Sequence, residues 1–399
     1  MRFFAIFATV LLSLTCLGGT SFAEGGYSHK RIVFTNITEG QGLTAGRIRS
    51  IVEDRRGFIW LASESGLARY DGFEVQPYLG SSGLQWSNDL QVLAEDVAGW
   101  FWIGTRKNGL IRFHPDSGRM AQFRSQPGNS ATLSHNSVTC IQQDGDRFIW
   151  VGTESGLNRL DRKTAAFERM LLGPNQGREF VTDIAFTDGP KGRNIWVGTK
   201  GSGLYRQQVE NTWEQIWNPT VECTSIAVGR DESGAFIWMG TIGGGIYRIS
   251  GAGKVVDQIN PGDDPAFGLN GSDILSLKVD SKGDLWAGTP SGLCRFDHKH
   301  REWTFYNHKH HDSSSVVRGA VETIFEDRGN VLWVGTSTGE ISQHNLDRLW
   351  FPHYIADPAD KESLSHNSVW GISEGADGKV WVGTEEGLNL FDPKTETFS

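Results

Sequence analysis

An all-β propeller of seven or eight four-stranded antiparallel blades is the fold this sequence predicts, on three observations. Trp-x-Gly-Thr, or a near variant, recurs eight times, at Trp60, Trp102, Trp150, Trp196, Trp238, Trp286, Trp333 and Trp381. The copies stand 42, 48, 46, 42, 48, 47 and 48 residues apart, a period that belongs to propellers and solenoids. Within each copy, short apolar runs alternate with Gly- and Asp-rich turns, the pattern of an antiparallel meander.

The first 23 residues carry the marks of a secretory signal: Arg2, an apolar stretch from Phe3 to Leu17, and Ser21-Phe22-Ala23 as a small-residue cleavage site. That stretch is too short to span a bilayer comfortably. No later segment is apolar enough to do so, and the residues before Cys16 argue against a lipid anchor. A mature chain from Glu24 is expected, residues 24–399 forming one propeller domain of eight repeats with the last incomplete. The 38 Lys+Arg against 47 Asp+Glu give a net charge of −9, which argues against a nucleic-acid partner.

The segment from Lys30 to Ile48 matches the end of a repeat. Val33-Phe34-Thr35, Gly42-Leu43-Thr44 and Ile48 parallel Ala121-Gln122-Phe123, Thr132-Leu133-Ser134 and Val138. The chain therefore opens on an outermost strand that would complete the last blade and pin the ring shut. Two arrangements fit: an eight-bladed ring, or seven blades followed by the opening of a second propeller.

In the last copy, Val369 to Ser373, Lys379 to Thr384 and Leu388 to Phe391 make three strands, and a fourth forms at Phe398. Each repeated Trp suits the space between adjacent blades. The Gly two residues later, as in Gly104, Gly152 and Gly383, lets a neighbour approach closely. In the turns that begin at Asp54, Asp96, Asp231 and Asp280, the carboxylate should accept backbone N–H groups, with Gly three residues on at positive φ. All of these are scaffold. Beyond the leader, Cys140, Cys223 and Cys294 fall in three different repeats. A bridge needs Cα atoms within about 7 Å, so no disulfide is expected, and the three read as small buried hydrophobes.

The run from Ile51 to Trp60, the run from Trp381 to Asp392, and the connector Ser363-Leu364-Ser365-His366-Asn367-Ser368-Val369, echoed at Thr132 to Val138, resemble the two-component regulator propeller family. The resemblance covers essentially everything after the leader. It implies the periplasmic sensor region of a bacterial membrane receptor: paired seven-bladed propellers, an immunoglobulin-like domain, a membrane span and an output module. That output is commonly a histidine kinase and sometimes a diguanylate cyclase, and the ligand an oligosaccharide or similar small extracellular molecule. This chain departs from that layout in having eight repeats and no kinase or cyclase signature, so the output domain is missing from it. An exported ligand-binding sensor propeller is the expectation. A propeller lyase or hydrolase and a protein-interaction scaffold are the alternatives.

Ligands of propellers usually occupy the channel mouth, where loops lead into the inner strands and turns join second to third strands. Just before the inner strands stand Arg47, Asp89, Ser137, Asp183, Ser225, Asp273, Ala320 and Ser368. One step earlier stand Gly46, Asn88, Asn136, Thr182, Thr224, Ser272, Gly319 and Asn367, with Arg318 close by. From these, Arg47, Asp89, Asn136, Asp183, Thr224, Asp273, Arg318 and Asn367 are candidates to hydrogen-bond sugar hydroxyls; the alternative is that they simply end strands and meet water. The second turns add Arg106 and Lys200. Trp86 is the best candidate to stack on a sugar ring, whereas Trp370, inside an inner strand, is expected in the core.

The histidines at 298, 300, 308, 310 and 311 flank one outer strand, whose length separates the two groups by roughly 20 Å. One shared metal site is therefore not expected. The sequence has no Gly-x-Ser-x-Gly elbow, no phosphate loop before a helix and no zinc-protease motif. Glycosidase chemistry needs two carboxylates about 5 to 10 Å apart, and Asp89, Asp183 and Asp273 fall in alternate repeats. Neither catalysis nor a cofactor is expected.

Overall fold

The structure, a computed structural model, describes residues 32–43, 46–78, 89–173, 177–189, 192–209, 212–217, 222–259, 273–347, 354–358, 360–375 and 378–399. The leader and its cleavage site, and Trp86, lie outside the described residues. The described strands form eight four-stranded antiparallel sheets. The first blade runs Ile48–Glu53, Ile59–Ser63, Gly66–Tyr70 and Val75–Pro77 from hub to rim. Five more follow the same order, with inner strands Leu90–Glu95, Val138–Asp144, Phe180–Gly189, Glu222–Asp231 and Ser276–Val279. The seventh blade supplies Val321–Glu326, Val331–Thr336 and Ile341–Asn345, and takes its outer strand from the amino-terminal Thr35–Ile37. Thr35 lies opposite Gln343 and Ile37 opposite Ile341.

The ring closes at seven. Each inner strand packs on the next, and Val321–Glu326 of the seventh blade packs on Ile48–Glu53 of the first. The amino-terminal strand thus completes blade seven, not the last repeat, and the eight-bladed ring is excluded. Described residues 32–347 form one compact unit. Residues 354–399, which hold the eighth sheet (Val369–Glu374, Val380–Thr384, Gly387–Asp392 and Thr397–Phe398), belong to another.

The Trp-x-Gly-Thr glycines explain the closure. A Cβ on Gly104 would lie 2.7 Å from Val138, on Gly152 2.6 Å from Val181, on Gly198 2.5 Å from Cys223 and on Gly240 2.6 Å from Ile274. On Gly288 it would lie 2.6 Å from Val321, and on Gly335 2.8 Å from Ile48. Each of these six glycines leaves a hole that the first apolar residue of the next inner strand fills, and the one in blade seven is filled by blade one, which itself carries Ala62 in the glycine's place. Gly383 of the eighth sheet meets only Gly371 O, at 3.8 Å.

The tryptophans tell the same story. The seven in the ring are at most 6% exposed, whereas Trp381 is 41% and Trp370 79% exposed. Trp370 is therefore not a core residue: no blade covers it within its own unit, and Ile372 and Leu388 are exposed beside it.

Each ring tryptophan also has a polar end to satisfy. Asp54 accepts the Arg56 and Phe58 N–H groups through Oδ1 (2.8 and 3.0 Å) and the Trp60 indole through Oδ2 (2.8 Å). Asp96, Asp144, Asp280 and Asp327 serve Trp102, Trp150, Trp286 and Trp333 in the same way. In blade four Thr187 Oγ1 takes that place, 2.8 Å from the Trp196 indole. Blade five departs further. Its first hairpin is longer, which puts Gly229 opposite Phe236 and carries Asp231 out to the tip, where it accepts Ser233 N and pairs with Arg248. The expected turn bond at Asp231 is made, but Trp238 is too far along the hairpin to share it.

Six of these tryptophans face an arginine across the strand pair: Arg69, Arg112, Arg159, Arg206, Arg248 and Arg295. Their guanidinium carbons stand 5.3 to 5.9 Å from the indole rings, within cation–π range. Gln343 and Leu390 replace the arginine in the last two sheets. Cys140, Cys223 and Cys294 are buried and free, and burial pushes Cys223 and Cys294 up to about 12.

Gly335→Val should overpack the blade-seven to blade-one seam and cost about 1–3 kcal/mol, while Gly383→Val should stay within about 0.5 kcal/mol of wild type. Urea denaturation of both variants measures the difference. Equal losses would mean that ring closure does not depend on the fit of Ile48 over Gly335.

Candidate functional site

The hub is built from one recurrent irregularity. Six ring blades register a β-bulge near the start of the inner strand, for example between Ile48 and Ser50, Val181 and Asp183, and Cys223 and Ser225. An inner strand has no neighbouring strand on its hub side, so its hub-facing N–H groups need other acceptors, and in three seams the previous blade supplies one. Ser50 Oγ accepts Leu93 N at 3.2 Å, Asp183 Oδ2 accepts Ile226 N at 2.7 Å, and Ser225 Oγ accepts Leu277 N at 3.2 Å. Thr139 and Thr224 hydroxyls donate to the Val181 and Ile274 carbonyls of the following blades, at 2.6 and 2.7 Å.

This register corrects the sequence alignment in two blades. Asp183 and Ser225 correspond to Ser50 and Val92, three places beyond the mouth. The true counterparts of Arg47 and Asp89 are Phe180 and Glu222. The longer first hairpins of blades four and five hid the offset. Asp183 and Thr224 therefore hold blades together at the hub.

At the mouth proper, charges meet charges. Arg47 reaches Glu322 at 2.9 Å and Glu64 at 3.6 Å; Arg49 reaches Glu64 at 3.0 Å and Glu322 at 3.6 Å. These four groups alternate in sign across the seam between blades seven and one. Asp89 pairs with Arg106 at 2.6 Å, Lys200 with Glu222 at 3.2 Å, and Arg318 with Glu340 at 3.6 Å. Asp89 adopts φ 78°, an unusual conformation for a residue other than glycine. Asp273 Oδ1 accepts Gly243 N at 2.8 Å. Sequence reasoning missed Arg49, Glu64, Glu222, Glu322 and Glu340. Opposite charges on the turn after the second strand and at the start of the inner strand in the first two blades, Glu64 with Arg47 and Arg106 with Asp89, were the available signal.

Asn136 and Asn367 are spent differently. Asn136 Oδ1 accepts Ser125 N at 2.8 Å, and Asn367 Oδ1 accepts Ala356 N at 2.7 Å. Both fold the connector that leads into their inner strand, and Asn367 belongs to the eighth sheet's unit. The mouth backbone is likewise occupied, since Arg47, Asp89, Ser137 and Ala320 carbonyls accept the N–H groups of Glu64, Arg106, Glu154 and Ser337. Side chains are thus what the mouth offers to a ligand. Among the histidines, His298 bonds Asp284, His300 bonds Asp297 and His308 bonds the Val316 carbonyl.

The family model described as two component regulator propeller matches residues 42–65, 132–155, 268–291 and 363–386. Histidine kinase P4 of Formosa agariphila is 26% identical over 123 residues, 29% of this chain and 8% of that protein. An extracellular domain assigned to the hybrid two component system BT3049 of B. thetaiotaomicron superposes with a TM-score of 0.73 at 23% identity, over 92% of this chain and 49% of that one. Virginiamycin B lyase of Staphylococcus aureus superposes with a TM-score of 0.58 at 17% identity, over 79% of this chain and 100% of that one. The chain therefore spans under a tenth of the kinase and about half of the extracellular domain, and the structural likenesses speak for the fold alone. The matched segments fall on the connector, inner strand and second strand of four copies, so these four repeats are similar to the two component regulator propeller model.

Proposed function

We propose that this chain is the ligand-reading propeller of a bacterial signal-transduction receptor, exported by residues 1–23 to the periplasm. In this reading it captures a small extracellular ligand of the oligosaccharide type and acts on an output domain, a histidine kinase or diguanylate cyclase, outside this chain. The observation that carries the reading is the contrast between a repeated scaffold and an unrepeated mouth. Trp, Gly and Asp recur from blade to blade, while Arg47, Arg49, Glu64, Glu322, Asp89, Arg106, Lys200 and Glu222 do not.

Alternating guanidinium and carboxylate groups supply donors and acceptors side by side with little net charge. Vicinal hydroxyls, each both donor and acceptor, match such a surface better than a phosphate would. A catalytic role has less support. Asp89 is engaged by Arg106, Asp183 by Ile226 N and Asp273 by Gly243 N, and the fold likeness to a lyase brings no catalytic residue with it.

Thermal-shift measurements on the mature chain against an oligosaccharide panel test the proposal. A true ligand at a hundred times its Kd should stabilise the chain by about 2.7 kcal/mol. Arg47→Ala should abolish that shift with little change in the unliganded chain. Asn136→Ala should cost about 1–3 kcal/mol through the lost connector bond and keep the ligand shift. Retention of the shift in Arg47→Ala would move the site elsewhere, and steady release of saccharide products would replace the sensor reading with an enzymatic one.

A further inference from the structure

One enclosed position in blade four departs from the repeat. The residue after each tryptophan-facing arginine is Tyr70, Phe113, Leu160, Ile249 or Phe296 in five other blades, and His344 stands there in blade seven. Where these carry a polar atom, the scaffold satisfies it. The Tyr70 hydroxyl donates to the Gly72 carbonyl at 2.8 Å, and His344 Nδ1 to the Val33 carbonyl at 3.1 Å. Blade four has Gln207, opposite Ile195 on one side and Trp213 on the other. It is 7% exposed, and among the described residues nothing hydrogen-bonds its side-chain amide. The Trp213 indole N–H is also enclosed without a partner. Burying an unpaired amide costs stability that a leucine in the same place would not.

Gln207 lines a cavity of about 620 Å³ at the seam between blades three and four. It lies where the first hairpins turn, on the face away from the mouth. The hairpin of blade four, Phe180–Gly189 with Gly192–Lys200, is longer than that of blade three, Val138–Asp144 with Phe148–Thr153. Its extra length carries Asp188 and Arg193 into the cavity wall, across from Asp144 and Arg159 of blade three. These four charges are already matched: Arg193 pairs with Asp144, Arg159 with Glu168 at 2.6 Å and Asp188 with Arg230 at 2.8 Å. What the wall leaves unmatched is the neutral Gln207 amide, a donor and an acceptor side by side. The volume falls within the range of small-molecule sites.

We propose that this cavity is a second binding site, for a neutral polyol of monosaccharide size, with Gln207 as its specificity residue. Two adjacent hydroxyls complement the amide: one donates to Oε1 and its neighbour accepts from Nε2. A charged occupant would have to displace a partner from one of the three ion pairs or enter unpaired. An apolar one would leave the amide as unsatisfied as before. The site is on the opposite face from the mouth, so it stands whatever the mouth binds.

Titration of the mature chain with D-glucose, D-galactose and myo-inositol tests this, followed at the Trp213 indole N–H resonance and assigned with Trp213→Phe. At least one of the three should shift that resonance saturably. D-glucuronate, which adds a charge to the same ring, should bind at least about tenfold more weakly than D-glucose. Gln207→Leu should abolish the shift and yet raise the melting temperature of the unliganded chain by about 2 °C, whereas loss of a merely structural glutamine would lower it. Should that variant fail to fold, the side-chain NH2 resonances of Gln207 in the wild-type chain replace it and should move over the same concentration range. An indole unmoved by all three probes, equal binding of D-glucuronate, unchanged binding in Gln207→Leu, a lowered melting temperature in that variant, or Gln207 resonances that stay fixed would each overturn the proposal.

Discussion

One steric fit organises this protein: the glycine hole in six of the seven ring blades, filled by the first apolar residue of the next inner strand, with Ala62 in that place in blade one. A four-stranded sheet with two apolar faces cannot be stable in water alone, and stacking blades around an axis covers both faces at once. The hole sets how closely neighbouring blades approach. Because Ile48 fills the hole at Gly335 as Val138 fills the one at Gly104, the seventh step ends where the first began. The amino-terminal strand then makes that last interface covalently continuous with the first blade. Phe34 is buried beneath it, and Asn36 donates to the Ser313 and Ser315 carbonyls while accepting the Ser342 hydroxyl.

Packing brings a polar cost that the repeat meets in a repeated way. A buried indole needs an acceptor, and the turn aspartate supplies one with the oxygen left over from the turn itself. Inner strands present unpaired backbone N–H groups at the hub, and in three seams a hydroxyl or a carboxylate of the preceding blade receives one. On the opposite side of the ring, Glu53 accepts the Arg328 backbone N–H and guanidinium across the closing seam. Burial works against ionisation of Glu53, but Arg328 outweighs it and holds the carboxyl below the usual range. Apolar fit and polar satisfaction thus run along the same interfaces, so neither can be altered without the other.

The architecture was legible in the sequence because its determinants repeat in register: a Trp every 42 to 48 residues, followed two places later by Gly in seven of eight copies, needs no partner to be recognised. Blade count was not legible, since Trp381 and Gly383 have the same local sequence as Trp333 and Gly335. What separates them is whether a neighbour arrives, which is a property of the assembled ring. Trp370 failed as a core prediction for the same reason. The arginines opposite the tryptophans are visible in retrospect, as an Arg two places after the Leu or Ile of the Gly-Leu or Gly-Ile turn in the first six repeats. Nothing local to Arg159 or Arg206, however, says that its ring partner lies across the hairpin.

The mouth was harder still, because its chemistry is made of pairs drawn from different repeats. Arg47 and Glu322 are 275 positions apart, and only the closed ring brings them to 2.9 Å. The candidates chosen by position divide physically into three kinds: charges paired at the mouth, amides spent on connectors, and hub groups spent on the next blade. A residue whose polar atoms are already consumed by the fold can lose its side chain and change stability first. A residue held only by an exposed ion pair can exchange that partner for a ligand at small cost, because such pairs contribute little by themselves. Arg47, half-exposed between two carboxylates, is of the second kind and Asn136 of the first. Where the scaffold has no further claim on a side chain, specificity is free to be written.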